Sequence, residues 1–448
     1  MRNDRWTWRY AAICPHPGHP HVLLVRAASG GLTLPWWRGA QPAAWQDVTA
    51  VQRTMRERFG VEAVALRCVR QHRDPAAQRT DLWYELDSLT LPGSLPEGRW
   101  YGWEALAEVT DATQRTLLER WFMEAQEGVP LLRRPWARPG WFVRARAWIV
   151  EQCRHLGVRV SGPVAQIRTW RRCCLLTIPT SEGLLYFKAL PSASAHEVAL
   201  LGLLARHFPA RVVQVLATHA DHHWLLMADL CGDPLDSVVE ITQWERSVRD
   251  YAALQVTMTR YYEALLSLGC PDQRPQSLSD QIDPFLANWP GDTILSSADR
   301  DRLNAMAPHL KARCTELTTA AVPATVEHGD LWPSNVALTS RGPAYFDWSE
   351  SSVAHPFFSM YFFLRPEAWP EPLRRRADVR TRLQAAYLEP WTVFATRAYL
   401  ADLFTHAQAL APLHHALLAQ RRFLADMEET WEKEVAVSFV AMLLHDLP

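Results

Sequence analysis

Apolar and polar positions change rhythm along the chain, and the changes outline its organisation. In the first 126 residues, short runs of strand length (RYAAIC, HVLLVRA, LRCVRQH, DLWYELD) surround one helical stretch, QDVTAVQRTMRERFG. Around residues 127–141, EGVPLLRRPWARPGW breaks all periodicity with three prolines and two glycines. WFVRARAWIVEQCRHLGV then reads as one amphipathic helix. Five short strands follow: VAQIRTW, CCLLTIPT, GLLYFKAL, VVQVLATH and HWLLMADL. From about residue 233 the pattern is helical to the end, interrupted by one strand-loop-strand passage at 325–348. Strands followed by helices predict an α+β fold with a two-lobed catalytic unit behind a separate N-terminal α/β domain. The expected divisions are 1–126, a linker and connecting helix at 127–160, a first lobe at 161–232 and a mostly helical second lobe at 233–448.

Composition narrows the partners. The 448 residues carry a formal net charge of −1, which argues against a globally basic nucleic-acid binder. The start, MRNDRWTWRYAAIC, lacks an apolar core of signal-peptide length, and no apolar run approaches the roughly 18 residues that span a bilayer. The eight cysteines form no CxxC pair, so reduced thiols and a cytoplasmic protein without a membrane partner are expected. Of 47 basic residues only Lys188, Lys311 and Lys433 are lysines. Where arginine is the default cation, a lysine inside an apolar strand is a marked position. The 21 tryptophans are also unusual, and most must be structural.

The passage TVEHGDLWPSNVALTSRGPAYFDWSE carries the chemistry. Asn335 lies five residues after Asp330, and Asp347 twelve residues after Asn335. Phosphoryl transfer needs a carboxylate beside the attacking hydroxyl and oxygen ligands that hold magnesium across nucleotide phosphates. A tight loop followed by an adjacent strand supplies that set. HGDLWPSN and FDW resemble the catalytic loop and metal-binding triad of the aminoglycoside phosphotransferase and choline kinase family, small-molecule relatives of protein kinases. The resemblance covers roughly residues 160–448. It implies Asp330 as catalytic base, Asn335 and Asp347 as magnesium ligands, and ATP or GTP as phosphoryl donor to a hydroxylated small molecule.

A kinase-like fold also asks for a strand lysine at the phosphates and a helix glutamate to hold it. Lys188 in LLYFKAL and Glu197 in AHEVALLGLLARHF meet that demand. HHWLLMADLCGDPL resembles the hinge between lobes. The resemblance implies that backbone groups of Ala228 and Leu230 meet the nucleotide base, with Met227 either against the base or in the core.

Two departures stand out. QIRTWRRCCLLTI has no glycine-rich phosphate loop, and Arg171 and Arg172 there are read as a solvated turn. Trp332 stands where the family often has histidine, either as a wall of the acceptor pocket or packed under the loop. Carboxylates at Glu350, Asp426, Glu428, Glu429, Glu432 and Glu434 are either acceptor contacts or, for the C-terminal run, a solvated helix face. The alternative to an enzyme is a nucleotide-binding pseudokinase acting as sensor or scaffold. The complete set of Asp330, Asn335, Asp347 and Lys188 argues against it, and the missing glycine loop argues for it. Neither acceptor nor oligomeric state is legible.

The N-terminal domain resembles a Nudix hydrolase fold, with Gly39, Arg53, Met55, Glu57, Gly60 and Val61 fitting its signature. Trp45, Thr54 and Arg58 stand where glutamates belong. Pyrophosphate hydrolysis needs several carboxylates to hold magnesium, so a degenerate domain without hydrolase activity is expected. Cys14, His16, His19 and His21 are metal-capable but complete no defined site. The arginines at 133, 134, 138, 144, 146, 154 and 159, mixed with Trp136, Trp141 and Trp148, are read as a solvated linker face in preference to a nucleic-acid track.

Overall fold

The structure is a computed structural model that describes residues 6–28, 30–40, 44–91, 93–287, 297–421 and 430–447. The chain divides into two compact units, each taken by itself below. The first comprises residues 1–191, His219–Leu226 and Glu428–Trp431, and the second the remainder.

The first unit opens with β1 (Thr7–Ile13), β2 (Val22–Arg26), β3 (Leu32–Thr33) and β4 (Trp36–Gly39), then helix α1 (Thr49–Phe59). β5 (Ala63–Asp74), β6 (Arg79–Ser88) and β7 (Arg99–Tyr101) precede helix α2 (Ala112–Glu127). One mixed sheet runs β4-β1-β6-β5, with β1 parallel to β6. Alternate residues of β1 feed two cores, because successive strand side chains point to opposite faces. Tyr10 and Ala12 pack with Val51, Met55 and Phe59 of α1, while Ala11 and Ile13 pack with Leu117, Leu118 and Phe122 of α2. This is an α/β/α sandwich, the layer order that the Nudix resemblance implies. Gly60 ends α1 in the left-handed conformation (φ 70°) that favours glycine.

Helix α2 corrects the expectation of a single helix in this domain. Asp111 caps it, its carboxylate accepting from Gln114 N–H at 2.9 Å. The linker reading also needs correcting at Arg133. That side chain is buried and pairs with Glu124 at 2.8 Å and Glu85 at 3.6 Å, so it is no part of a solvated face. Arg144, Arg146, Arg154 and Arg159 are exposed as expected, but Trp136 and Trp141 are buried and cannot stack on bases. Cys14 is buried against Ser88 (3.3 Å), whereas His16 and His19 stack on each other in a surface turn.

Helix α3 (Trp141–His155) leads into β8 (Ala165–Trp170), β9 (Cys173–Thr180) and β10 (Gly183–Ala189). β8, β9 and β10 form an antiparallel meander in a sheet ordered β11-β12-β10-β9-β8, where β11 is Val215–His219 and β12 is Trp224–Ala228. All five strands fall where hydrophobic patterning puts them. β8 is the sheet's edge.

The second unit is mostly helical. Its helix α4 (His196–His207) buries Glu197 on the same side as Leu200, Leu201 and Leu204. Helix α5 (Ile241–Met258) buries Trp244, Tyr251 and Gln255. The helix Arg397–Ala419 is almost wholly buried from Leu410 onward. Two three-stranded sheets sit among the helices. One aligns Asp233–Pro234, Val336–Thr339 and Gly342–Tyr345, and the other Asp272–Gln273, Ser352–Ala354 and Thr325–Glu327. Residues 328–335 cross from one sheet to the other. No helix among the described residues is long and apolar enough to cross a membrane.

Candidate active site

The crossing loop His328–Asn335 is shaped by its own sequence. Gly329 has φ 78°, and a Cβ there would stand 2.1 Å from the Glu350 carbonyl oxygen. Both facts require glycine. Gly329→Ala is expected to lose transfer activity and at least about 1–3 kcal/mol of stability from the backbone conformation alone, read by urea unfolding.

His328 is fully buried. Its Nε2 lies 3.0 Å from the Phe346 carbonyl oxygen, and its ring packs on Trp348 at 4.6 Å. Phe346 N–H donates to the Asn335 carbonyl at 3.1 Å. The backbone beside Asp347 is therefore tied to both ends of the loop, which gathers Asp330, Asn335 and Asp347. Asn335 Nδ2 donates to the Asp330 carbonyl at 2.8 Å and approaches Asp330 Oδ2 at 3.3 Å. The Asn335 amide oxygen takes part in neither of these bonds. Asp347 sits at φ 63°, a left-handed conformation uncommon outside glycine, and Ser349 Oγ donates to its Oδ1 at 2.9 Å. All three side chains are half-buried. Such strain at a carboxylate held by neighbours is typical of a functional position.

Glu197 Oε1 accepts the Trp348 N–H at 3.0 Å, so the helix glutamate anchors the residue after Asp347. Lys188 is a buried residue of β10, between Phe187 and Ala189. Lys188 and Glu197 belong to different units. Met227, which the resemblance puts at a hinge, is buried, and Ala228 N–H donates to the Gln214 carbonyl at 3.0 Å. Leu230 is half-buried and precedes Cys231, whose φ is 50°.

Trp332 is half-buried and stacks on Phe362 with ring centroids 4.8 Å apart. Glu350 is buried beside Gly329. Glu434 is exposed, while Asp426, Glu428 and Glu429 lie outside the described residues.

Sequence reasoning missed the layer beneath the loop. Glu327 is fully buried and accepts from Ser359 Oγ at 3.0 Å, with His414 Nε2 3.0 Å away. Burial pushes the Glu327 carboxyl up, but the hydrogen bond and charge of His414 outweigh it and hold it at about 2. Burial pushes His415 and His355 down, each to about 3. Paired histidines inside the apolar stretch ALAPLHHALLA were the available signal. Glu327, His414 and His415 are the only described residues whose ligand atoms converge as a metal-capable trio. The trio's carboxylate is already engaged by protein donors.

No curated protein matches the chain. A macrolide 2′-phosphotransferase of Brachybacterium faecium is similar at 18% identity, over 66% of this chain and 97% of that one, with a TM-score of 0.46. The choline kinase LicA of Streptococcus pneumoniae is similar at 12% identity, over 67% and 99%, with a TM-score of 0.45. A Nudix hydrolase of Nitrosomonas europaea is similar at 18% identity, over 28% and 75%, with a TM-score of 0.24. The model of the phosphotransferase enzyme family matches residues 153–403. That span is more than half of the chain and holds the whole crossing loop: the chain belongs to this family, and is a phosphotransferase with an alcohol group as acceptor.

Proposed function

We propose that the protein moves the γ-phosphoryl group of ATP or GTP to a hydroxyl of a small molecule, with magnesium. The observation that carries this reading is the gathering of Asp330, Asn335 and Asp347 by the backbone ties at Phe346. Asp330 orients the acceptor hydroxyl and takes its proton. The amide hydrogen bond from Asn335 keeps the Asp330 carboxylate aimed. One amide oxygen and one carboxylate, on Asn335 and Asp347, form a hard donor set that suits magnesium. When bound, the ion would neutralise charge on the phosphates. Lys188 is assigned to the phosphates, and Glu197 to holding the backbone that follows Asp347. Ala228 and Leu230 meet the base, with Met227 beside it.

All eight cysteines are free thiols, seven of them buried, which supports a reducing cytoplasmic setting. The N-terminal domain has no hydrolase role in this reading. Arg58, at a glutamate position of the signature, pairs bidentately with Glu97 at 2.8 and 2.9 Å.

Thermal unfolding with magnesium and each nucleotide tests the binding half. Nucleotide at 100 times its Kd should add about 2.7 kcal/mol, and Asn335→Ala should remove the magnesium-dependent part. A wild-type protein unmoved by either nucleotide would sink the reading. A nucleotide-consumption screen over aminoglycosides, amino alcohols, sugars, nucleosides and macrolides tests the acceptor half.

A further inference from the structure

A kinase-like first lobe keeps its phosphate-covering turn on the first two strands of the sheet. Here those strands are β8 and β9, and the turn between them, Arg171-Arg172, contains no glycine. β8 is the sheet edge, yet it is not left open. Gln46–Val48 lies antiparallel to it, bridging at Asp47 and Arg168. Thr169 N–H donates to the Gln46 carbonyl at 3.0 Å, and Val48 N–H to the Ile167 carbonyl at 3.4 Å. The segment entering α1 therefore extends the sheet by a short strand.

Side chains reinforce the seam. Gln166 is buried and forms a reciprocal pair with the Ala65 backbone, accepting from its N–H and donating to its carbonyl, both at 2.9 Å. Gln52 of α1 donates to the Gln166 carbonyl at 2.8 Å. Trp136 Nε1 donates to the Trp170 carbonyl at 2.7 Å, at the lip of the turn. Trp45, standing at a glutamate position of the Nudix signature, meets the edge of Trp170 at 6.0 Å. Arg172 lies over the Trp170 ring at 5.0 Å.

We propose that the N-terminal domain is a clamp on the β8–β9 turn, and that this clamp sets nucleotide affinity in place of a mobile glycine loop. The inference rests on the nucleotide-dependent reading above. Gln166 and Gln52 are positioning residues: they act on the turn through the β8 backbone. Holding the turn in advance lowers the ordering cost of closing it over phosphates.

The test is made in the full chain, with nucleotide Kd, kcat at saturating nucleotide, and amide hydrogen exchange at Thr169 and Val48. Gln52→Leu should raise Kd about fivefold, the worth of one net hydrogen bond. It should keep kcat within about twofold and speed exchange at both amides. Gln166→Met should do the same more strongly. If Gln166→Met fails to fold, Gln52→Leu decides. Glu57→Gln, exposed on the same helix, should change nothing. Unchanged exchange in Gln52→Leu overturns the clamp, and faster exchange with unchanged Kd overturns its role in affinity. A wild-type protein that binds no nucleotide instead sinks the underlying reading, with the exchange result still reporting on the seam.

Discussion

Asp330→Asn is expected to lower the rate of phosphoryl transfer by about 10²–10⁴-fold, the usual worth of a positioned general base. The amide is isosteric and keeps an oxygen for the hydrogen bond from Asn335 Nδ2. The backbone bonds of Trp332 N–H and Asn335 Nδ2 to the Asp330 carbonyl do not involve the changed atoms. Nucleotide binding and the melting temperature should therefore stay near wild type. The measurement is nucleoside diphosphate release with any acceptor the screen finds, beside a calorimetric unfolding scan. Unchanged turnover removes Asp330 from the base role. Loss of turnover together with collapse of Tm makes the effect structural.

The second large effect is acid instability. His355 and His415 are held near 3 in the fold against an ordinary value of 6.5. A depressed folded value means that the unfolded chain binds the proton first. Stability is complete above 6.5 and falls as pH drops toward 3, by about 1.4 kcal/mol per pH unit for each group. By pH 5 the two together remove on the order of 4 kcal/mol, a large share of a typical folding free energy of about 5–15 kcal/mol. Glu327, held near 2 against 4.5, adds a further loss only below pH 4.5. At His355 the geometry explains the preference. Nδ1 accepts from Phe357 N–H at 3.3 Å, so protonating it would set two donors face to face. His355→Asn keeps an acceptor at that cap and removes the titration. Urea midpoints from pH 8 to pH 4 should show about half the wild-type slope for this variant between pH 6 and 5. An unchanged slope would exclude His355 as a source.

The local code was legible where one strand face or one helix stripe decides the outcome. The strands β8, β9, β10 and β12 fall on apolar runs bounded by turn residues. Lys188 falls in one of them, marked by lysine scarcity. Helix α2 was not read because no stretch of it announces itself against the neighbouring strands. Its Asp111 cap and the Leu117, Leu118 and Phe122 stripe gain meaning only once a second sheet face needs covering. Arg133 failed for a related reason. An arginine in a proline-rich linker looks solvated until Glu85 and Glu124 arrive from 48 and nine residues away.

By itself the sequence determined the residues of the loop and their spacing. Asp330, Asn335 and Asp347 lie within eighteen residues, so local turns suffice to bring them near one another. Why Gly329 must be glycine came from the fold, where a left-handed turn lies against the Glu350 carbonyl. Only tertiary structure decided which distant groups meet inside each unit. Glu327 meets His414 across 87 residues, and Gln166 meets Ala65 across 101. Buried polar groups must find partners when they leave water. Which partner they find is a property of the packed chain, and no local window of sequence contains both ends of such a bond.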